Sequence, residues 1–332
     1  MNIEYLRSSN LTEAVGLLKK FEGKARIFAG GTELLVNMKH QALNPRYLID
    51  IKSIPGLSYI HYEPDGTLRL GALTTVRDIE SSLEIRRNHT ILVEAAQAIA
   101  TLQIKNMGTL GGNLLQTVKC PYYNQSHVNL FMRQSISPCR QRGGNVCHAA
   151  HADTLNHAVI GKPAGGCWAP TASDLATPLT ALGASVIVVG QEGERVIPVE
   201  GLFKGGGKTA LQTGEMLTGV KIPSLSREAK SRYQKYAQDI RNFSILNAAG
   251  VLWLTPAGVL RDLRIVMGGL AVIPLRLLSL ENKLKGQKLS SLSLDGIIQE
   301  EWAGARVRGD LTHYKLEKAR VMIIDLLENL AG

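Results

Sequence analysis

Every cysteine of this chain lies between Cys120 and Cys167, in a stretch where hydrophobic periodicity disappears and Gly, Asn, Gln, Ser and His take over. An aperiodic segment of that length inside a compact domain is uncommon and usually functional. The patterned segments on either side must therefore fold around it. With 332 residues, 45% of them hydrophobic and 20% charged, there is enough chain for two or three domains with a sizeable interior. No apolar run reaches membrane-spanning length, so no membrane insertion is expected. The opening MNIEYLRSSNLTEAVGLL lacks a basic patch, an apolar core and a cleavage site, which predicts a cytoplasmic chain without a signal peptide. The net charge of +10 is dispersed along the chain, which argues against nucleic-acid binding and leaves a basic surface suited to acidic subunits.

NLTEAVGLLKKF has the apolar spacing of an amphipathic helix with Asn10 or Thr12 as its cap, and ARIF reads as a strand that turns through glycines into a helix near Thr32 or Glu33. YLIDIKSI and LRLGALTTVRDIE continue with strands, the second feeding a helix after Thr75, and ILVEAAQAIATLQI reads as another helix. After the cysteine-bearing stretch, SDLATPLTALGASVIVVG predicts a capped helix running into a strand, and residues 223–231 read as a linker. ILNAAGVLWL and LRDLRIVMGGL are strand candidates, and YKLEKARVMIIDLLENL is an amphipathic helix. The pattern is that of an α+β protein.

AGGTELL places two glycines between a strand and a helix start, where backbone N–H groups and the helix dipole can meet a phosphate that no Cβ obstructs; a tight left-handed turn is the plainer reading. TLGGN, Thr109 to Asn113, repeats the arrangement, and two such loops suggest an extended dinucleotide. FKGGGKT lacks the first glycine of a phosphate-binding P-loop and reads as a hairpin. Asp174 suits either a helix cap or a carboxylate that takes hydrogen bonds from a ligand, and Lys235 reads as a surface lysine.

Cys120, Cys139, Cys147 and Cys167 are 19, 8 and 20 positions apart. Disulfides are disfavoured where no export signal is seen. Four-cysteine zinc sites usually take two close pairs, which are missing here. Separated thiolates can wrap a cubic [4Fe–4S] cluster, so the spacing permits a cluster alongside zinc and alongside reduced, unligated thiols. His148, His151 and His157 share the segment, where histidines are more often solvated than ligating.

Taken in order, IFAGGTELL, LGALTTVRDIE, TLGGNLLQ, SDLATPLTALGA, GEMLTGVKIP and YQKY…RNFSILNAA resemble the FAD-binding (medium) subunit of the molybdenum hydroxylases, the xanthine dehydrogenase group. The resemblance extends to the late MGGLAVIPLR and covers nearly the whole chain. It implies an FAD-binding fold of the PCMH type: a β-α-β subdomain over 1–55, a second over 56–223 with a cysteine-rich insertion at about 118–168, and a C-terminal α+β domain of the CO dehydrogenase flavoprotein type over 231–332. It implies FAD contacts at Phe28, Ala29, Gly30, Gly31, Thr32, Glu33 and Leu34, and at Thr109, Gly111, Gly112 and Asn113. Asp174 and Lys235 match residues that also meet FAD, and Leu217 fits the one beside the flavin.

KCPYY, CRQRGGNVC and NHAVIGKPAGGC are similar to the insertion of one branch, which includes 4-hydroxybenzoyl-CoA reductase β subunits and bacterial aldehyde oxidoreductase FAD subunits. That branch implies a [4Fe–4S] cluster on the four cysteines. The resemblance further implies an electron-transfer role between FAD, this cluster and partner centres. The partners would be a molybdenum-cofactor large subunit and a [2Fe–2S] small subunit, in a heterotrimer or its dimer, with ferredoxin, a nicotinamide or a quinone as outside carrier. Export with a signal-bearing partner is compatible with this arrangement.

Overall fold

The computed structural model describes residues 3–124, 137–161, 163–289, 294–302 and 304–332. Its first layer is a parallel sheet of β1 (Glu4–Arg7), β2 (Ala25–Phe28) and β3 (Tyr47–Asp50) in the order β1-β3-β2. Parallel neighbours need crossovers, and α1 (Leu11–Lys20) supplies the first, burying Ala14 and Val15 against the sheet. Asn10 starts that helix by accepting the Glu13 N–H at 2.9 Å; Thr12 lies inside it. α2 (Leu34–Lys39) follows the first glycine turn.

The second layer holds β4 (Ile60–Tyr62), β5 (Leu68–Gly71), β6 (Ser185–Gly190), β7 (Gly193–Pro198) and, past the hairpin of β8 (Phe203–Gly205) and β9 (Lys208–Thr209), β10 (Met216–Ile222). Its order is β4-β5-β10-β6-β7, antiparallel throughout. Helices α3 (Val76–Ser81), α4 (Leu83–Asn88), α5 (Thr90–Gln97), α6 (Leu102–Met107), α7 (Leu110–Leu114) and α8 (Ala176–Ala181) complete it. Thr75 and Asp78 form a reciprocal capping box at the start of α3. The helix expected to run through ILVEAAQAIATLQI is broken between α5 and α6, where Ala100 takes a left-handed φ of 39°. The FKGGGKT segment forms the β8–β9 hairpin.

The third layer is an antiparallel sheet of β11 (Ala229–Tyr236), β12 (Leu246–Leu254), β13 (Leu260–Gly268) and β14 (Leu275–Arg276), in chain order. The connection from β10 is shorter than the linker read from sequence, because β11 already begins at Ala229. The C-terminal helix Asp310–Ala331 packs on this sheet. Gly250 is what lets it approach, since a Cβ there would come within 2.7 Å of Leu330 Cδ1.

The insertion is fastened to this third layer. The Asp153 carboxylate accepts the N–H groups of Leu311 and Thr312 in the first turn of the C-terminal helix, at 3.0 and 2.9 Å. The Arg306 guanidinium donates to the Ala150 carbonyl and lies 3.3 Å over the Trp168 ring. Lys315, fully buried, donates from Nζ to the carbonyls of Leu155 at 2.7 Å and His157 at 2.8 Å. Burial pushes the Lys315 pKa down to about 7.

The unfolded chain keeps a proton on Lys315 up to about pH 10.4, whereas the folded chain releases it near 7. The stability linked to this residue is therefore flat below about 7 and rises towards about 10.4, by at most about 1.4 kcal/mol per pH unit. Denaturant unfolding of wild type and Lys315→Met across pH 6 to 10 should show a shallower rise in the variant; parallel curves would refute the assignment.

Candidate functional site

The first of the two glycine turns predicted from sequence packs against residues 107 and 108, which lead into the second. Residues 27–34 are half-buried, and Gly31 takes a left-handed φ of 71°. A Cβ on Gly30 would overlap the Met107 carbonyl oxygen, so only glycine permits this approach to the end of α6. Thr32 Oγ1 lies 3.6 Å from where a Cβ on Gly108 would stand. Among the described residues, no acceptor is found for the N–H groups of Gly30, Gly31, Thr32 and Glu33. The second turn is held differently. Thr109 Oγ1 accepts the Gly112 N–H at 3.2 Å, and the Gly111 N–H donates to the Ala72 carbonyl at 2.9 Å. A Cβ on Gly111 would press on Ala72 at 3.1 Å and meet Leu217 of β10 at 3.5 Å. Leu217 is buried beside a bulge in the β10–β6 pairing.

Glu33, Asn113, Asp174 and Lys235 already have partners. Glu33 Oε1 accepts the Thr117 N–H at 2.8 Å, the Thr117 hydroxyl at 2.6 Å and the Lys119 ammonium at 2.6 Å, tying the first turn to the start of the insertion. Asn113 Oδ1 accepts the Ser173 hydroxyl at 2.6 Å. Asp174 caps no helix: Ser173 does, accepting the Ala176 N–H at 3.1 Å. The Asp174 carboxylate instead accepts the Lys235 ammonium at 3.0 Å, the Asn247 amide at 2.9 Å and the Ser244 hydroxyl. Lys235 is correspondingly no surface lysine. Its side chain is 7% exposed and also donates to the Ala98 carbonyl at 2.7 Å.

All four cysteines line one cavity, together with Val118, Tyr122, Tyr123, His148, His157 and Ala169. About 320 Å³ of atom-free space lies within it, mouth included. Cys120, Cys139 and Cys167 are buried and Cys147 is half-buried. Burial pushes the Cys120 thiol up to about 12, against the opposing pull of the Tyr122 and Tyr123 N–H groups. Burial also raises Cys167, against the Ala169 N–H. Such thiols are protonated at neutral pH and make poor nucleophiles; a metal would have to displace their protons. Among the described residues, no three His, Cys, Asp or Glu side chains close in on a single metal ion. The β8–β9 hairpin packs beside Cys167, with the position of a Gly206 Cβ 3.1 Å from Cys167 Cβ.

His157, one of three histidines read as solvated, is 4% exposed with Nε2 3.2 Å from Cys120 Sγ. Burial, with Lys315 behind it, lowers its pKa to about 4. Local sequence carries no signal for this, because the burial comes from the C-terminal helix. Thr117, Lys119, Ser173 and Lys315 likewise lay outside the sequence-based site.

The arrangement thus offers one polar cradle and one sulfur-lined cavity. Residues 1–225 match the FAD binding domain in molybdopterin dehydrogenase, and residues 231–329 match the CO dehydrogenase flavoprotein C-terminal domain. The aldehyde oxidoreductase FAD-binding subunit PaoB of Escherichia coli K12 is 31% identical over 286 residues, covering 82% of this chain and 83% of the relative. The 6-hydroxypseudooxynicotine dehydrogenase complex subunit alpha of Paenarthrobacter nicotinovorans is 27% identical over 290 residues, covering 87% and 80%. A solved chain of reconstituted CO dehydrogenase from Oligotropha carboxidovorans shares the fold with a TM-score of 0.78 at 24% identity, over 100% of this chain and 98% of that one. No helix among the described residues is long and apolar enough to cross a membrane. The chain belongs to the FAD-binding subunits of the molybdenum hydroxylase and xanthine dehydrogenase family, and is thereby a subunit of an oxidoreductase.

Proposed function

We propose that this chain is the electron-transfer flavoprotein of its complex, with FAD seated at the two glycine turns and a [4Fe–4S] cluster on Cys120, Cys139, Cys147 and Cys167. The observation that carries this reading is the convergence of four separated thiols on one apolar cavity, in a chain whose first glycine turn packs against the residues that lead into the second. The donor set suits the cluster. Four soft sulfurs share one cavity, the donor set that a [4Fe–4S] cluster takes. The cradle suits a diphosphate. Among the described residues the N–H groups of residues 30–33 meet no acceptor, and the glycines keep Cβ atoms out of the way.

In this reading Phe28 to Leu34 and Thr109, Gly111, Gly112 and Asn113 hold the cofactor, and Leu217 walls it. Asp174 and Lys235, already bonded to each other, orient the loops around it more than they reach for it. When bound, FAD supplies two-electron chemistry and the cluster one-electron chemistry. The protein places both, excludes water from the sulfurs and directs N–H groups at them. Substrate chemistry would fall to a molybdenum-cofactor large subunit, with a [2Fe–2S] small subunit between, as a heterotrimer or its dimer. The outside carrier would be ferredoxin, a nicotinamide or a quinone, and the setting cytoplasmic. Similarity to an aldehyde oxidoreductase subunit favours an aldehyde substrate over the aromatic thioester of a 4-hydroxybenzoyl-CoA reductase.

Anaerobically purified protein should contain about four irons per FAD, and zinc without iron would overturn the cluster. Cys139→Ser should lose iron and keep flavin, because the two seats use different residues. Gly30→Ala pushes a methyl into the Met107 carbonyl and should cost about 1–3 kcal/mol, lowering flavin content while iron per chain stays unchanged. Wild-type flavin occupancy in that variant would place the cofactor elsewhere.

A further inference from the structure

Resting on the cluster reading above, we infer that His157 donates an Nε2–H hydrogen bond to the Cys120 sulfur and so raises the reduction potential of the cluster, as a positioning residue and not as a ligand. Its Nε2 stands 3.2 Å from Cys120 Sγ, within hydrogen-bond reach of the sulfur. The ring is 4% exposed and lines the cavity. Nδ1 has no partner among the described residues. That asymmetry selects the tautomer. With the proton on Nε2 only a lone pair goes unmatched at Nδ1, whereas the other tautomer would orphan a buried N–H, the rarer and costlier fault.

The ring is also held in place. Lys315 Nζ grips the His157 carbonyl at 2.8 Å, the Ala158 N–H donates to the Trp168 carbonyl at 2.9 Å, and the Tyr122 ring lies 6.3 Å away between centroids. A fixed donor on a ligating sulfur withdraws negative charge from the cluster and favours its reduced form. One electron is added on reduction; the proton stays on Nε2, and no bond is made or broken.

The test is a redox titration of the full complex, purified without oxygen and followed by the paramagnetic resonance of the reduced cluster. His157→Phe should keep iron and flavin at wild-type stoichiometry while its cluster couple moves to more negative potential. His157→Gln, whose carboxamide N–H reaches a similar point, should restore most of the difference. An unmoved potential in His157→Phe overturns the inference and leaves the cluster reading intact. Loss of iron with flavin retained in both variants would make His157 a ligand and overturn it as well. Wild type without iron overturns both readings together. Should the variants lose flavin and fold poorly, wild-type protein labelled with ¹⁵N-histidine decides: a nitrogen coupling and an exchangeable proton at the reduced cluster are expected, and their absence refutes the bond.

Discussion

A buried carboxylate is stable only where its donors are already assembled around it, and Asp174 draws its donors from the opposite side of a domain boundary. It enters from the loop before α8, while Lys235, Ser244 and Asn247 come from the third sheet and the turn between its first strands. Lys235 also takes the Ala98 carbonyl at the break between α5 and α6, and Ser173 holds Asn113 of the second glycine turn. One buried ion pair therefore sets the relation of three segments around the glycine turns. Breaking such a pair by removing one partner typically costs about 3–5 kcal/mol, since the other charge is left buried and uncompensated. The joint is the reason the C-terminal layer contributes to a site built mainly by the first two layers.

The insertion is organised on the same principle. Its described part has little regular structure, and side chains make the joint in both directions: Arg306 and Lys315 donate to carbonyls of its backbone, while its own Asp153 accepts first-turn N–H groups of the C-terminal helix. The loop that brings the cysteines to one cavity is pinned at these points, and Gly206 of the β8–β9 hairpin packs close beside Cys167.

What could be read in the sequence was what neighbouring residues decide. The Asn10 and Thr75 caps act across three residues, and the Gly31 turn and the FKGGGKT hairpin are matters of local backbone freedom, so all four were visible. The hidden features depend on distant partners. Lys235 looks like a surface lysine until Asp174 and the Ala98 carbonyl meet its ammonium, and Asp174 looks like a cap because Ser173, which accepts the Ala176 N–H, sits one residue before it. β11 is half exposed and rich in charge, which disguised its start as linker. Ala100 breaks an otherwise good helical pattern through a backbone angle that alanine does not advertise. His157 and Lys315 are buried by each other's elements, a pairing across 158 positions that no local pattern encodes.

The fastening of the insertion to residues 306–315 bears on how the protein is made. The cysteines leave the ribosome well before the helix whose Lys315 and first-turn N–H groups secure their loop, separated by 158 to 160 positions at the anchoring bonds. At ordinary translation speeds that gap lasts on the order of ten to thirty seconds. Throughout it the thiols hang on an unanchored segment, open to oxidants and stray metals. The sulfur pocket is consequently fastened only once residues 306–315 have been made.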